Sequence, residues 1–466
     1  MPTENAERQA QGSGWRRWRM PLALAALLGV VVGPVVQEYT APTAPRYTLA
    51  AALVEHQTLE LDRYRANVFI DRLELDGHLY SDKAPGQPFF SVPAYAASQL
   101  VGAEPATVVR LRGNLGLWAV TAWSSLLPAI ALVFLVFAAS RSLGDRAALA
   151  GTAGVTFGTL LLPYAAQLYG HVLGAALGFG AWTVVRSGSL SVRRALLGGL
   201  LAGAAVVVEY QTAIVLLAIG GWLVIRARRR LLWFALGGVP AILALALYQA
   251  ALLGSPFASS YSKKPAHSEA TPLVTGLPKP AQGLEILLGS RGLLLFTPVV
   301  AAGVWGLARL ARSHREQRDD AIVGLGVLAG VFLLQAGWPN PWGGEMPGPR
   351  YMIPAMPFLG LGVTVAWRQR PRLVTVLAGI SAFSMFWPLY ARHLVPDGGW
   401  LVASQLTDVN LAGFMPTLFT MPMGSLGWVV HLALLICALA ALDGAARSTR
   451  SGTPSVSPRN GPTPAS

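Results

Sequence analysis

Three ingredients are scarce in this 466-residue chain: it has one cysteine, four lysines and a charged fraction of only 12%. The lone thiol, Cys437, lies inside an apolar run, so an internal disulfide and a cysteine-built metal centre are excluded. Its seven histidines form no HExxH pattern and no close histidine–carboxylate set on one helix, and no metal site is expected. Neither a Walker glycine loop nor a Rossmann fingerprint after a strand is present, which counts against an ATP-driven pump. No cofactor is expected. No internal repeat is visible either, whereas transporters often consist of two related halves.

Apolar residues are abundant, at 53% of the chain with a mean hydropathy of +0.48. They gather in twelve runs, at 20–36, 115–139, 147–162, 171–185, 196–208, 212–225, 231–253, 293–308, 321–336, 353–367, 373–389 and 426–442. Runs of this kind predict an all-α polytopic membrane protein of about 12 transmembrane helices. Several fall short of the roughly 20 residues a bilayer core asks for, and the pair flanking Glu209 is short enough to be re-entrant.

Arginine marks alternate connections: Arg141 and Arg146, Arg186 with Arg193 and Arg194, Arg226 to Arg230, Arg309 to Arg318, and Arg368 to Arg372. By the positive-inside rule these are cytoplasmic, as are both termini. That side holds 23 Lys+Arg against 7 Asp+Glu, and the other side 13 against 15. The net charge of +14 is thereby a topology signal and gives no reason to expect nucleic acid. The first apolar run lacks a small-x-small cleavage site and reads as a retained anchor. Three regions follow: a cytoplasmic segment 1–19, a transmembrane domain 20–447, and a Ser/Pro/Gly-rich tail 448–466 expected to be disordered.

The long connections 37–112, 254–291, 337–351 and 390–424 all fall on the outer side and carry most of the unusual motifs. In the first, an amphipathic helix is expected from Tyr47 to about Glu55. Asp76-Gly77 signals a turn. The following "YSDKAPGQPFF" puts Asp82 and Lys83 before a Pro- and Gly-punctuated stretch, with Lys83 expected at headgroup depth and Phe89 and Phe90 facing lipid or an apolar wall. Among the other ionisable groups, Arg350 enters a span after Gly-Pro, His171 opens another, and Glu209 sits between two apolar runs. Each also has a plain reading: snorkelling for Lys83, anchoring for Arg350, a helix end for His171, and solvated loop acids for Glu38 and Asp62. An acid at membrane depth is costly, which makes Glu209 harder to set aside. Trp338 and Trp342 read as an aromatic belt.

Arg46-Tyr47 near a helix start, followed by Tyr80-x-Asp82-Lys83-x-Pro85, resembles the GT-C superfamily of polyprenyl-phosphate-dependent glycosyltransferases. The likeness is to the protein mannosyltransferase and aminoarabinose transferase branch. "GGEMPGPRYMIPAMPF", with Arg350 and Tyr351, looks like an element of related bacterial membrane proteins, and "GLPKPAQGLEILLGSRGLLLFTP" does so less specifically. The resemblance implies a GT-C-like bundle with a large first outer loop, in which Lys83 contacts the phosphate of a lipid-linked sugar donor. It also implies an Asp-Glu pair before Arg46, where this chain has Thr43-Ala44-Pro45. Glu38 and Asp62 are the nearest replacements for the catalytic acid, with Asp76 and Asp82 further along. The substrate-binding set is Asp82, Lys83, His171, Glu209, Arg350 and Tyr351.

The expected activity is transfer of a sugar from a polyprenyl-phosphate donor to a glycan, lipid or protein acceptor, with inversion, on the outer face of the plasma (inner) membrane. Membrane lipid is the other expected partner. A donor made in the cytoplasm must reach that face already attached to a lipid, and its leaving group is then a phosphate at headgroup level. Lysine and arginine offset the charge that develops there. A lipid-linked sugar transporter or flippase and a non-catalytic GT-C-like lipid-binding protein remain alternatives.

Overall fold

The computed structural model describes residues 18–108, 110–186, 188–260, 276–313, 315–345, 347–390 and 414–447. The segment before residue 18, Lys263 and Lys264, most of the 390–424 connection and the 448–466 tail lie outside the described residues.

Among the described residues a helix stands at each of the twelve apolar runs, two more occupy the first long connection and one lies in the 254–291 connection. In chain order they are α1 (Arg19–Val32), α2 (Ala44–Glu55), α3 (Gly86–Leu100), α4 (Leu115–Leu143), α5 (Asp145–Gly158), α6 (Gly170–Val185), α7 (Val192–Val208) and α8 (Ala213–Arg226). After these come α9 (Arg228–Leu253), α10 (Pro280–Leu288), α11 (Val299–Leu310), α12 (Arg315–Ala336), α13 (Met356–Gln369), α14 (Pro371–Tyr390) and α15 (Leu426–Arg447). Among the described residues five, namely α4, α9, most of α12, α14 and α15, are long and apolar enough to cross a membrane; the pair bent by 93° around residue 298 would make six. Others are shorter: α6, with 16 residues, is about 24 Å long against a hydrocarbon core of about 30 Å. The twelve runs are therefore helical, while full spanning length holds for five or six.

Helices of such composition gain little from hydrophobic contrast in lipid and associate through close packing at small residues. α7 and α9 show it: a Cβ on Gly199 would sit 1.8 Å from the Phe234 carbonyl oxygen, and one on Gly237 2.0 Å from that of Leu196. α11 and α13 meet in the same way, with a Cβ on Gly306 1.8 Å from the Gly362 oxygen.

The first long connection departs from its expected form in two places. α2 begins at Ala44 and is buried on every face through Ala52, because its alanines admit neighbours all round; it is not a surface amphipath. The Pro- and Gly-rich stretch after Lys83 is helix α3, with Pro85 at its N-cap and Pro88 in its first turn, where a missing N–H costs nothing. Between them lie β1 (Arg72–Leu75) and β2 (His78–Ser81), antiparallel around Asp76 and Gly77, whose φ of 50° and 86° fit a two-residue hairpin turn.

α6 and α8 set the long dimension of the site. His171 opens α6 and Arg186 follows its end, about 22 Å apart at 1.5 Å per residue. Glu209 and Gln211 precede α8, and Arg226 ends it. Each helix thus separates a polar cluster at one end from an arginine at the other.

Candidate functional site

Arg46 sits in the first turn of α2 and is buried. Its Nη1 donates to the Pro42 carbonyl at 2.7 Å, and its Nη2 to Glu209 Oε1 at 3.4 Å. Glu209 caps the end of α7 with an extended backbone that turns the chain toward α8. Gly170 makes its place, since a Cβ there would lie 2.6 Å from Glu209 Oε1. The carboxylate therefore lies against the start of α6, where His171 Nδ1 is 3.5 Å from the same oxygen and 3.1 Å from Gln211 Nε2.

Tyr169 is the platform for two guanidinium groups. The Cζ of Arg46 stands 5.2 Å and that of Arg350 5.3 Å from its ring centre, within the range of cation–π attraction. Arg350 also donates to Tyr351 Oη at 3.3 Å and lies 5.2 Å from that ring. Among the described residues its Nε and Nη1 are buried without a hydrogen-bond partner, as are His171 Nε2 and Tyr164 Oη. Unpaired buried donors are expensive, and two on one guanidinium suit a ligand that brings acceptor oxygens.

Lys83 is drawn into the same region. Gly86, at the start of α3, packs so tightly on the end of α7 that a Cβ would lie 2.6 Å from the Val208 nitrogen. That contact brings the residues before α3 beside Glu209. Lys83 Nζ is 3.1 Å from Asp71 and 3.1 Å from Asp82, with 8% of its side chain exposed. Lys83, Arg46 and Arg350 all act electrostatically on Glu209 and on Tyr169. Lys83 is thus buried between two carboxylates instead of resting at a surface. Phe89 and Phe90 do face outward, packed on Tyr248 and Trp123.

Six sequence candidates come together here: Asp82, Lys83, His171, Glu209, Arg350 and Tyr351. Three members were not in that set. Arg46 stands in a recognised motif without having been assigned a role. Asp71 follows an exposed Ile70 with no motif around it. Tyr169 is an aromatic before a glycine, a pattern too common to signal anything.

The two proposed catalytic acids have partners of their own. Glu38 pairs with Arg112 at 3.3 Å, leaving its Oε2 buried and unbonded. Asp62 accepts from the Leu79 N–H at 2.8 Å, contacts His78 Nδ1 at 2.6 Å and pairs with Arg65 at 3.1 Å. It ties the hairpin to the turn before it. The Leu79 amide and His78 hold its pKa below the carboxylate range, and Asp62 in turn raises that of His78. With Glu60 the pair forms a group whose ligand atoms lie within 4.8 Å of one another. The hairpin, joining residues 16 apart, creates a histidine–carboxylate set that no helical spacing reveals. Trp342 is buried under Arg291 and is not part of a surface belt, while half-buried Trp338 packs with its ring centre 4.2 Å from that of Tyr351.

No family model and no curated protein matches the chain. Among solved structures it is similar to ArnT, an aminoarabinose transferase, from Cupriavidus metallidurans bound to undecaprenyl phosphate. The TM-score is 0.53 at 16% identity, over 94% of this chain and 76% of that one. The apo form of ArnT gives 0.53 at 15% identity, over 93% and 76%. With the helices long and apolar enough to cross a membrane, this likeness supports an integral membrane protein whose fold is that of ArnT.

Proposed function

We propose that the chain is a membrane glycosyltransferase that takes a sugar from a polyprenyl-phosphate donor. The observation that carries this reading is the meeting of Arg46, Lys83 and Arg350, from three distant segments, around Tyr169 and Glu209. Three cations in a buried place are costly unless anions compensate them. Glu209, Asp71 and Asp82 match the three charges in number, yet among the described residues none of them pairs with Arg350, whose unpaired nitrogens suit phosphate oxygens. The fold shared with ArnT, whose structure holds undecaprenyl phosphate, supports the same ligand class.

In this reading Lys83 and Arg350 hold the donor phosphate. The acceptor hydroxyl oxygen attacks the anomeric carbon as the bond to the phosphate oxygen breaks, and polyprenyl phosphate leaves with the electron pair. The hydroxyl proton passes to a carboxylate, and one displacement inverts the centre. Asp71 suits that role: it lies beside Lys83 with 22% of its side chain exposed, whereas Asp82 is fully buried. Asp62, bound up in the hairpin, is a poorer base than its sequence position suggested, and Glu38, with its free Oε2, is the second choice. The donor side faces outward by the arginine asymmetry. The test is Asp71→Asn. It should abolish turnover and leave donor binding within about threefold, because a base acts on the acceptor proton. Full turnover in Asp71→Asn and loss in Glu38→Gln would move the base to Glu38.

A further inference from the structure

The end of the bundle opposite the cation cluster carries a polar cavity of about 460 Å³. It is lined by Trp182, Arg186, Trp222, Arg226, Arg230 and Asp319, among others. Two ion pairs build its wall. Arg186 binds Asp320 through two nitrogens, with Trp182 Nε1 donating to the same carboxylate at 3.1 Å. Arg226 binds Asp319 at 2.6 Å. Both aspartates are buried, so these pairs tie α6 and α8 to α12 and leave their own charge balanced. Arg230 remains. It lines the cavity, forms no ion pair among the described residues, and stands beside the exposed Arg228 and Arg229. The Trp222 indole N–H, also at this cavity, is buried without an acceptor among the described residues.

An apolar groove of about 610 Å³ is lined by residues that flank the same turn in sequence. Its lining begins at Val224 and Leu231, on either side of the arginines, and follows α9 through Phe234, Gly238 and Ile242. Phe234 is one turn beyond Arg230, so the two share a face of α9. Across the groove, a Cβ on Gly220 or Gly221 would meet nothing within 4 Å, which leaves width for an alkyl chain.

A charged head site whose Arg230 is next in sequence to Leu231 of an apolar slot matches one class of molecule. We propose that the cavity and groove hold an anionic phospholipid of the leaflet at the basic end, its phosphate on Arg230 with the Trp222 N–H donating, and one acyl chain along α9. A single arginine near an anionic membrane surface favours such a lipid by about fivefold. The inference does not rest on the transferase reading, because it uses the other end of α6 and α8.

The experiment is native mass spectrometry of the full chain released from micelles that contain equal phosphatidylglycerol and phosphatidylcholine. The expected result is preferential retention of phosphatidylglycerol. Arg230→Gln should cut that preference about fivefold, and Arg372→Gln, on another exposed basic connection, should leave it unchanged. Gly221→Leu should lower retention of both lipids by narrowing the groove, and free glycerol phosphate should fail to displace the lipid. Unchanged preference in Arg230→Gln, an equal loss in Arg372→Gln, or displacement by glycerol phosphate would overturn the proposal.

Discussion

Replacing Glu209 by glutamine removes the carboxylate facing Arg46 and keeps its shape. The pair is 3.4 Å apart, with 8% and 9% of the two side chains exposed, so the guanidinium has little access to solvent once its partner is neutral. Breaking a buried ion pair from one side costs about 3–5 kcal/mol, most of it the penalty of the charge left behind. Lys83 and Arg350 act on the same place and give Arg46 no relief. Glu209→Gln should therefore lower the thermal midpoint of the purified protein in detergent, read from tryptophan fluorescence. Arg46→Met should also lower it, by less, since Glu209 loses its nearest cation while Lys83 and Arg350 still act on it. The double variant Arg46→Met/Glu209→Gln has no unpaired charge and should be more stable than the sum of the single losses, by about 1–3 kcal/mol of coupling. Strictly additive losses, or a Glu209→Gln protein as stable as the parent, would refute the claim that this pair holds the start of α2 against the end of α7.

Lys83→Ala should weaken binding of a polyprenyl phosphate by roughly 10- to 100-fold, the worth of a hydrogen bond to a charged group. Lys83→Arg should recover little of it, because a fork replaces a point charge between Asp71 and Asp82. The His78–Asp62 contact makes hairpin stability depend on pH in two directions. The raised His78 pKa gives support that is full below the ordinary histidine value and is lost as pH rises through the folded value. The lowered Asp62 pKa gives support present above the ordinary carboxylate value and lost as pH falls through the folded one. Protection of the Leu79 amide, corrected for intrinsic exchange, should peak between about pH 4 and pH 6.5; a flat profile from pH 4 to 8 would count against the contact. Reporter fusions after Arg230 and Arg318 should read cytoplasmic and fusions within 254–291 external, and finding both on one side would end the external-site assignment.

Local signals in the sequence served well. Asp76-Gly77 is a hairpin turn, and each apolar run is a helix, because hydropathy and turn chemistry act over a few residues. Lys83 and Arg350 were readable as candidates from the motifs around them, whereas Arg46 stood in the same motif without an assigned role. Pairing was not readable. Arg46 finds Glu209 163 residues away, through glycines at 170 and 86 whose only message is that a Cβ would not fit. The prolines at 85, 88 and 93 looked like loop punctuation, yet the first two fall where a helix start tolerates them and the third lies inside α3. Burial explains the weaker reading of Lys83: a lysine beside one aspartate looks superficial until the hairpin brings a second, Asp71, to its other side.

The most direct measurement is chemical. Purified protein in lipid, given a panel of polyprenyl-phosphate sugars with glycan, lipid and protein acceptors, should consume at least one donor and release polyprenyl phosphate together with an inverted glycoside. The Lys83→Ala protein should do so far more slowly. Donors that are bound, or carried across vesicles, but recovered chemically intact under every acceptor would contradict the transferase account.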